Sequence, residues 1–127
     1  MENSEKWLKK AKTDLKIATT CEKDDEDDYL VSMYHLQQVV EKSMKAVLVH
    51  YGQDVPRTHN LSSLRAASEP FVESFPTGVE EAMNLTWFEA NGRYPLDSDD
   101  NIYPEEFEEY VNISTRFYEW AASILYD

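Results

Sequence analysis

Residues 30–51, LVSMYHLQQVVEKSMKAVLVHY, decide the fold. Leu30, Met33, Gln37, Val40, Met44, Val47 and Tyr51 follow one another at alternating steps of three and four. That spacing lines them along one face of an α-helix. All but Gln37 are apolar or aromatic, so the face must be covered by other helices. Gln37 stands in the middle of the seam, where a buried amide needs partners for its donors and acceptor. Neither Gly nor Pro interrupts the stretch, and Gly52 follows as a C-terminal cap. At ~1.5 Å per residue the helix runs roughly 33 Å, the long dimension of a small domain.

The rest of the chain supplies the covering helices. Ser4 can cap a first helix, with Glu5 beside its positive end. Trp7, Leu8, Ala11, Leu15 and Ala18 form its apolar stripe, while Lys9, Lys10, Lys12 and Lys16 fall mostly on the other side. It ends near Cys21–Lys23. Asp24 to Asp28 is an unbroken acidic run that predicts a loop, its last members favouring the start of the next helix. Read instead as a metal site, the run lacks the spaced ligands and the Gly of a calcium loop. Thr58 is the capping candidate for a short helix with Leu61 and Leu64 inside, closed by Pro70. Phe71, Val72 and Phe75 then plug the core. Thr77 and Glu80 have capping-box spacing, and Val79, Met83, Thr86, Trp87 and Ala90 continue at helical spacing to the Asn91-Gly92 stop. Pro104 opens a last helix carrying Phe107, Tyr110, Ser114, Phe117, Ala121 and Ile124, expected to pack antiparallel along the long helix. The reading is a single domain over residues 1–127, all-α, an up-and-down antiparallel bundle of about five helices, four long and one short.

Composition agrees. With 127 residues, 42% hydrophobic, five Phe, eight Tyr and three Trp, the chain has material for one core. Three Gly and five Pro allow few turns, hence few and long elements. Net charge is −13 and unevenly spread: residues 1–23 carry six Lys against four acids, and the remainder six basic residues against twenty-one acids. Such a field repels polyanions, so sequence-independent nucleic-acid binding is not expected unless a local basic pocket overrides it, and a basic protein partner is easier to accommodate. The acidity also serves solubility alone. A single cysteine, Cys21, excludes an internal disulfide and a cysteine-based zinc site. No apolar run reaches the ~18–20 residues of a membrane span, and the N-terminus lacks a signal-peptide core. A cytoplasmic location is expected, with no metal and no cofactor. The chain has no G-x-G-x-x-G, P-loop, H-E-x-x-H or Ser/His/Asp arrangement, so no nucleophile can be assigned.

Three pieces in order carry a resemblance: Gln37-Gln38-x-x-Glu41-Lys42-x-x-Lys45-Ala46-x-Leu48, then Gly52, Pro56 and Thr58-His59-Asn60-Leu61-x-x-Leu64, then Arg93-Tyr94-Pro95. Together they resemble the HEPN family (higher eukaryotes and prokaryotes nucleotide-binding) over nearly the whole chain. The resemblance implies a helical bundle that forms homodimers. It also implies pairing with a minimal nucleotidyltransferase encoded nearby, help in binding nucleotide or substrate, and often a toxin–antitoxin role. Some members are metal-independent ribonucleases marked by an Arg followed four to six residues later by a His. Here only Arg57 precedes a His, with one residue between, so that motif is absent.

Four residues are candidates for a nucleotide or phosphate site: Arg93, Tyr94, Lys45 and His59. Arg93 can grip a phosphate bidentately with Tyr94 as a stacking platform, or can be saturated by Asp97, Asp99 or Asp100. Lys45 can join an anion pocket with Arg93, or form a solvated i,i+4 pair with Glu41. His59 is a titratable group at a pocket mouth, or a polar tie between a loop and the long helix. Gln37 and Glu41 are read as structural or interface residues on an edge beside the seam. Tyr118 and Trp120 lie off the last helix's seam and are the dimer-face candidates. No catalytic residue is assigned. The function expected is a non-catalytic binding partner of a nucleotidyltransferase. The rival readings are a ribonuclease toxin with a divergent site and a ligand-free dimerisation module.

Overall fold

The structure is a computed structural model and describes residues 3–91 and 102–126. Within these residues the chain is all-helical, a bundle around one central helix. Helix α1 spans Ser4–Thr20, α2 Glu26–His50 and α3 Leu61–Ser68. Two short segments, α4 (Val79–Ala82) and α5 (Thr86–Asn91), precede the long α6, Pro104–Tyr126. Among the described residues no helix is long and apolar enough to cross a membrane.

The helix ends follow from side-chain capping, sometimes one residue from the expected place. Asn3, not Ser4, caps α1: its Oδ1 accepts from the backbone N–H of Glu5 at 2.8 Å and of Lys6 at 3.3 Å. The acidic run is loop only at its start. Asp25 and Asp28 form a reciprocal capping box, and Glu26 to Asp28 are already helical. The carboxylates of Asp25 and Asp28 take amide donors at the positive helix end, which offsets their mutual repulsion. At the other end of α2, Gly52 adopts φ +77. The Gln53 N–H then reaches the Leu48 carbonyl and the Gly52 N–H the Val49 carbonyl, both at 2.9 Å. Helix α3 is capped by Asn60, while Thr58 Oγ1 accepts from the Asn60 N–H instead.

The expected fourth helix is broken. Thr77 and Glu80 make no capping box; Gly78 holds φ +94 at the start of α4 and no side chain caps it. Glu80 pairs with Arg65 Nη2 at 2.9 Å. A 3₁₀ turn, Met83–Leu85, separates α4 from α5. This return column of short helices lies against α6, with Arg116 Nη1 donating to the Thr77 carbonyl and Asn84 Nδ2 to Tyr110 Oη.

Contacts along α2 and α6 correct one expectation. Tyr29 meets Phe107 edge-on at 5.4 Å, and Ser114 Oγ donates to the Leu36 carbonyl at 3.4 Å. Ala46, Val47 and Ala121 share an apolar cluster with Leu8. Increasing number on one helix matches increasing number on the other, so α2 and α6 run parallel. That direction is what an up-and-down order requires when α1 rises, α2 descends, the α4–α5 column rises and α6 descends. An antiparallel α2–α6 pair would require that no return column lie between them in the chain.

Burial makes α2 the centre. Met33, Leu36, Val39, Val40, Met44, Ala46 and Val47 are each 0% exposed. Its seam residues face α6 and α3, and its opposite side faces α1, so both sides are covered.

Candidate functional site

Covering both sides of α2 buries polar groups that periodicity places beside the seam. Gln37 is 0% exposed, Glu41 2% and Lys45 6%. The three follow at four-residue steps, one helical turn apart, and bond in sequence. Gln38 Nε2 donates to Gln37 Oε1 at 2.6 Å, and Gln37 Nε2 donates to Glu41 Oε1 at 2.9 Å. Lys45 Nζ donates to Glu41 Oε2 at 2.9 Å. His59, from the loop before α3, closes the ladder: its Nδ1 lies 3.0 Å from Glu41 Oε1, and its carbonyl accepts from Gln37 Nε2 at 3.3 Å. Facing a carboxylate, His59 Nδ1 carries the proton and donates.

Glu41 is thus the hub. Burial pushes its carboxyl up, but hydrogen bonds from Gln37, Lys45 and His59 and the Lys45 charge outweigh that and hold it below the ordinary range. The pair is not the solvated one anticipated. α1 and the His59 loop cover it, and neither position can be known from α2 alone.

A second polar group clasps α1 to α2. Asp14 is 6% exposed although charged. His35 Nδ1 lies 2.9 Å from its Oδ1, and Lys42 Nζ donates to its Oδ2 at 2.6 Å. Asp14, His35, Gln38 and Lys42 were not among the candidate site residues. One signal did point to Asp14: it falls three residues after Ala11 and four before Ala18, a carboxylate inside an apolar stripe.

Of the expected ligand site, Lys45 and His59 come together, on Glu41. Arg93 and Tyr94 lie outside the described residues. Lys45 also lies 5.3 Å from the centre of the Trp7 ring. Of the dimer-face candidates, Trp120 is held within the chain. Its Nε1 donates to the Ser74 carbonyl at 3.0 Å, and its ring packs on Phe75 and Phe117. Tyr118 is half-buried beside the Leu8–Val47 cluster. Among the described residues the large apolar side chains that do stand exposed are Val31, Tyr51, Trp87, Tyr103 and Tyr126.

Chemically, the ladder is a brace. Each Glu41 oxygen already accepts from the protein, so the carboxylate has little capacity left to abstract a proton from a ligand. Two of the described arginines are engaged away from the histidines. Arg65 pairs with Glu80, and Arg116 donates to the Thr77 carbonyl.

The family model for the HEPN domain matches residues 4–125. No curated protein and no solved structure matches the chain.

Proposed function

The chain belongs to the HEPN family, and from that premise we propose that it is a non-catalytic, nucleotide- or substrate-binding partner of a separate minimal nucleotidyltransferase. It acts as a homodimer in the cytoplasm, within a toxin–antitoxin pair. One observation carries the non-catalytic part. The titratable groups brought together on α2 are bonded to one another: Glu41 to Gln37, Lys45 and His59, and Asp14 to His35 and Lys42. A hydrolase needs a base and a phosphate grip that are open to substrate. Here Glu41 and Asp14 are buried and already bonded, and His59, though exposed, is tied to Glu41.

The test is co-expression with a nucleotidyltransferase encoded beside it. Co-purification of the two chains in a fixed ratio, together with RNA left intact by the purified protein, is the expected outcome. Cleavage of RNA that is lost in His59→Ala would sink the proposal in favour of a ribonuclease. Failure to bind both the nucleotidyltransferase and any nucleotide in calorimetry would leave a dimerisation module.

A further inference from the structure

The acidic chain has one basic helix. Lys6, Lys9, Lys10, Lys12 and Lys16 all lie on α1, and among the described residues none of them has a carboxylate partner. Their exposure is the consequence of the fold: α1 turns Leu8, Ala11, Asp14 and Ala18 inward and leaves the lysines outside. Two of them, Lys6 and Lys10, border a groove of about 590 Å³ between the start of α1 and the end of α2. That volume is within the ~300–1,000 Å³ of small-molecule sites.

The groove joins two kinds of chemistry. Trp7 and Val49 give it an aromatic and apolar floor, and the side chains of Asn3 and Gln53 add amides. The cations stand beside the ring, with Lys10 Nζ 5.4 Å from the Trp7 centre. Asp54 is the acidic residue in the lining, so Lys6 and Lys10 leave a positive excess there. Trp7 is fixed from the protein side, since Lys45 of the buried ladder also lies against its ring. The surface is therefore rigid where a flat group would rest and flexible where an anion would be gripped.

We propose that this groove binds a phosphate monoester carried on a flat ring, with Lys6 and Lys10 on the phosphate and Trp7 under the ring. Asp54 is placed to accept a hydrogen bond from a hydroxyl or ring N–H of the same ligand. Nucleoside monophosphates and simple aryl phosphates share this chemistry. The inference rests on the ligand-binding half of the function proposed above and builds it on Lys6, Lys10 and Trp7.

The full chain is titrated in calorimetry with AMP, phenyl phosphate, inorganic phosphate and adenosine, and so is the double variant Lys6→Ala/Lys10→Ala. Both lysines are exposed, so the variant should keep the wild-type Tm. One or both esters should bind, at least tenfold tighter than inorganic phosphate or adenosine, and the double variant should weaken them at least tenfold. Preference for AMP identifies a nucleotide as the source; preference for phenyl phosphate identifies an aryl phosphate. Binding of the esters that survives the double variant overturns the groove while leaving a ligand site elsewhere. Binding of inorganic phosphate as tight as the esters overturns the role of Trp7. No binding of either ester overturns both the groove and the ligand-binding half of the function. Co-purification with a nucleotidyltransferase bears on the partner alone.

Discussion

Replacing Lys45 by Met tests whether the ladder is a buried charged brace. Met keeps most of the side-chain length and its contact with Trp7 but removes the cation from Glu41. The pair is close, 2.9 Å from Nζ to Oε2, and both side chains are under a tenth exposed. At an effective dielectric constant of ~20 a pair with charges about 4 Å apart attracts by about 4 kcal/mol. Removing one partner of a buried pair costs ~3–5 kcal/mol, because the other is left charged and desolvated. Gln37 and His59 still donate to Glu41, which places Lys45→Met at the lower end, about 3 kcal/mol. For a chain of 127 residues that is a fall in Tm of roughly 10 °C. Urea denaturation followed by far-UV circular dichroism at pH 7 measures it. Adding Glu41→Gln removes the stranded charge, so the double variant should recover most of the loss. A single variant within 1 kcal/mol of wild type at pH 7, or a double variant no better than the single, would refute the brace.

Acid should act through the same carboxylate. Glu41 is held below its ordinary value of 4.5 in the folded state, so its contribution is complete above that value. It is lost as pH falls through the lower, folded one; Glu41→Gln should flatten that limb of a stability-against-pH curve while lowering stability at pH 7. Asp14→Ala leaves Lys42 and His35 facing a partly buried gap and should cost about 2 kcal/mol, read from urea midpoints. In Gly78→Ala the new Cβ would lie 2.9 Å from Ile113 Cγ1 on a backbone at φ +94; a loss of ~1–2 kcal/mol is expected, and an unchanged Tm would show that α4 relaxes freely. Asp25→Ala removes the α2 cap and should cost ~1 kcal/mol, with faster amide exchange confined to residues 26–29.

The all-helical fold was legible in residues 30–51, because a three-and-four apolar rhythm has no other stable reading at that length. The start of α6 at Pro104 and the stop of α2 at Gly52 were legible for the same local reason: one residue type suits one backbone position. Position-by-position capping was less so. Asn3 displaced Ser4 and Asn60 displaced Thr58, since adjacent polar residues compete for the same amides and packing selects between them. The break in the fourth helix was hidden as well. Gly78 reads as an ordinary turn until Ile113 stands against it.

The site divides in the same way. The sequence determined that Gln37, Glu41 and Lys45 share an edge of α2, because a four-residue step is one helical turn. It could not determine that this edge is buried, that His59 joins it, or that Asp14 draws His35 and Lys42 to α1. Those are contacts across 18, 21 and 28 residues of chain. They exist only once α1 and the α3 loop are folded onto α2. Helical period is a local property of the backbone, whereas burial is decided by what lands on each face. Tertiary structure therefore turned a surface ion pair into a buried brace and left the lysines of α1, not Lys45, open to a ligand.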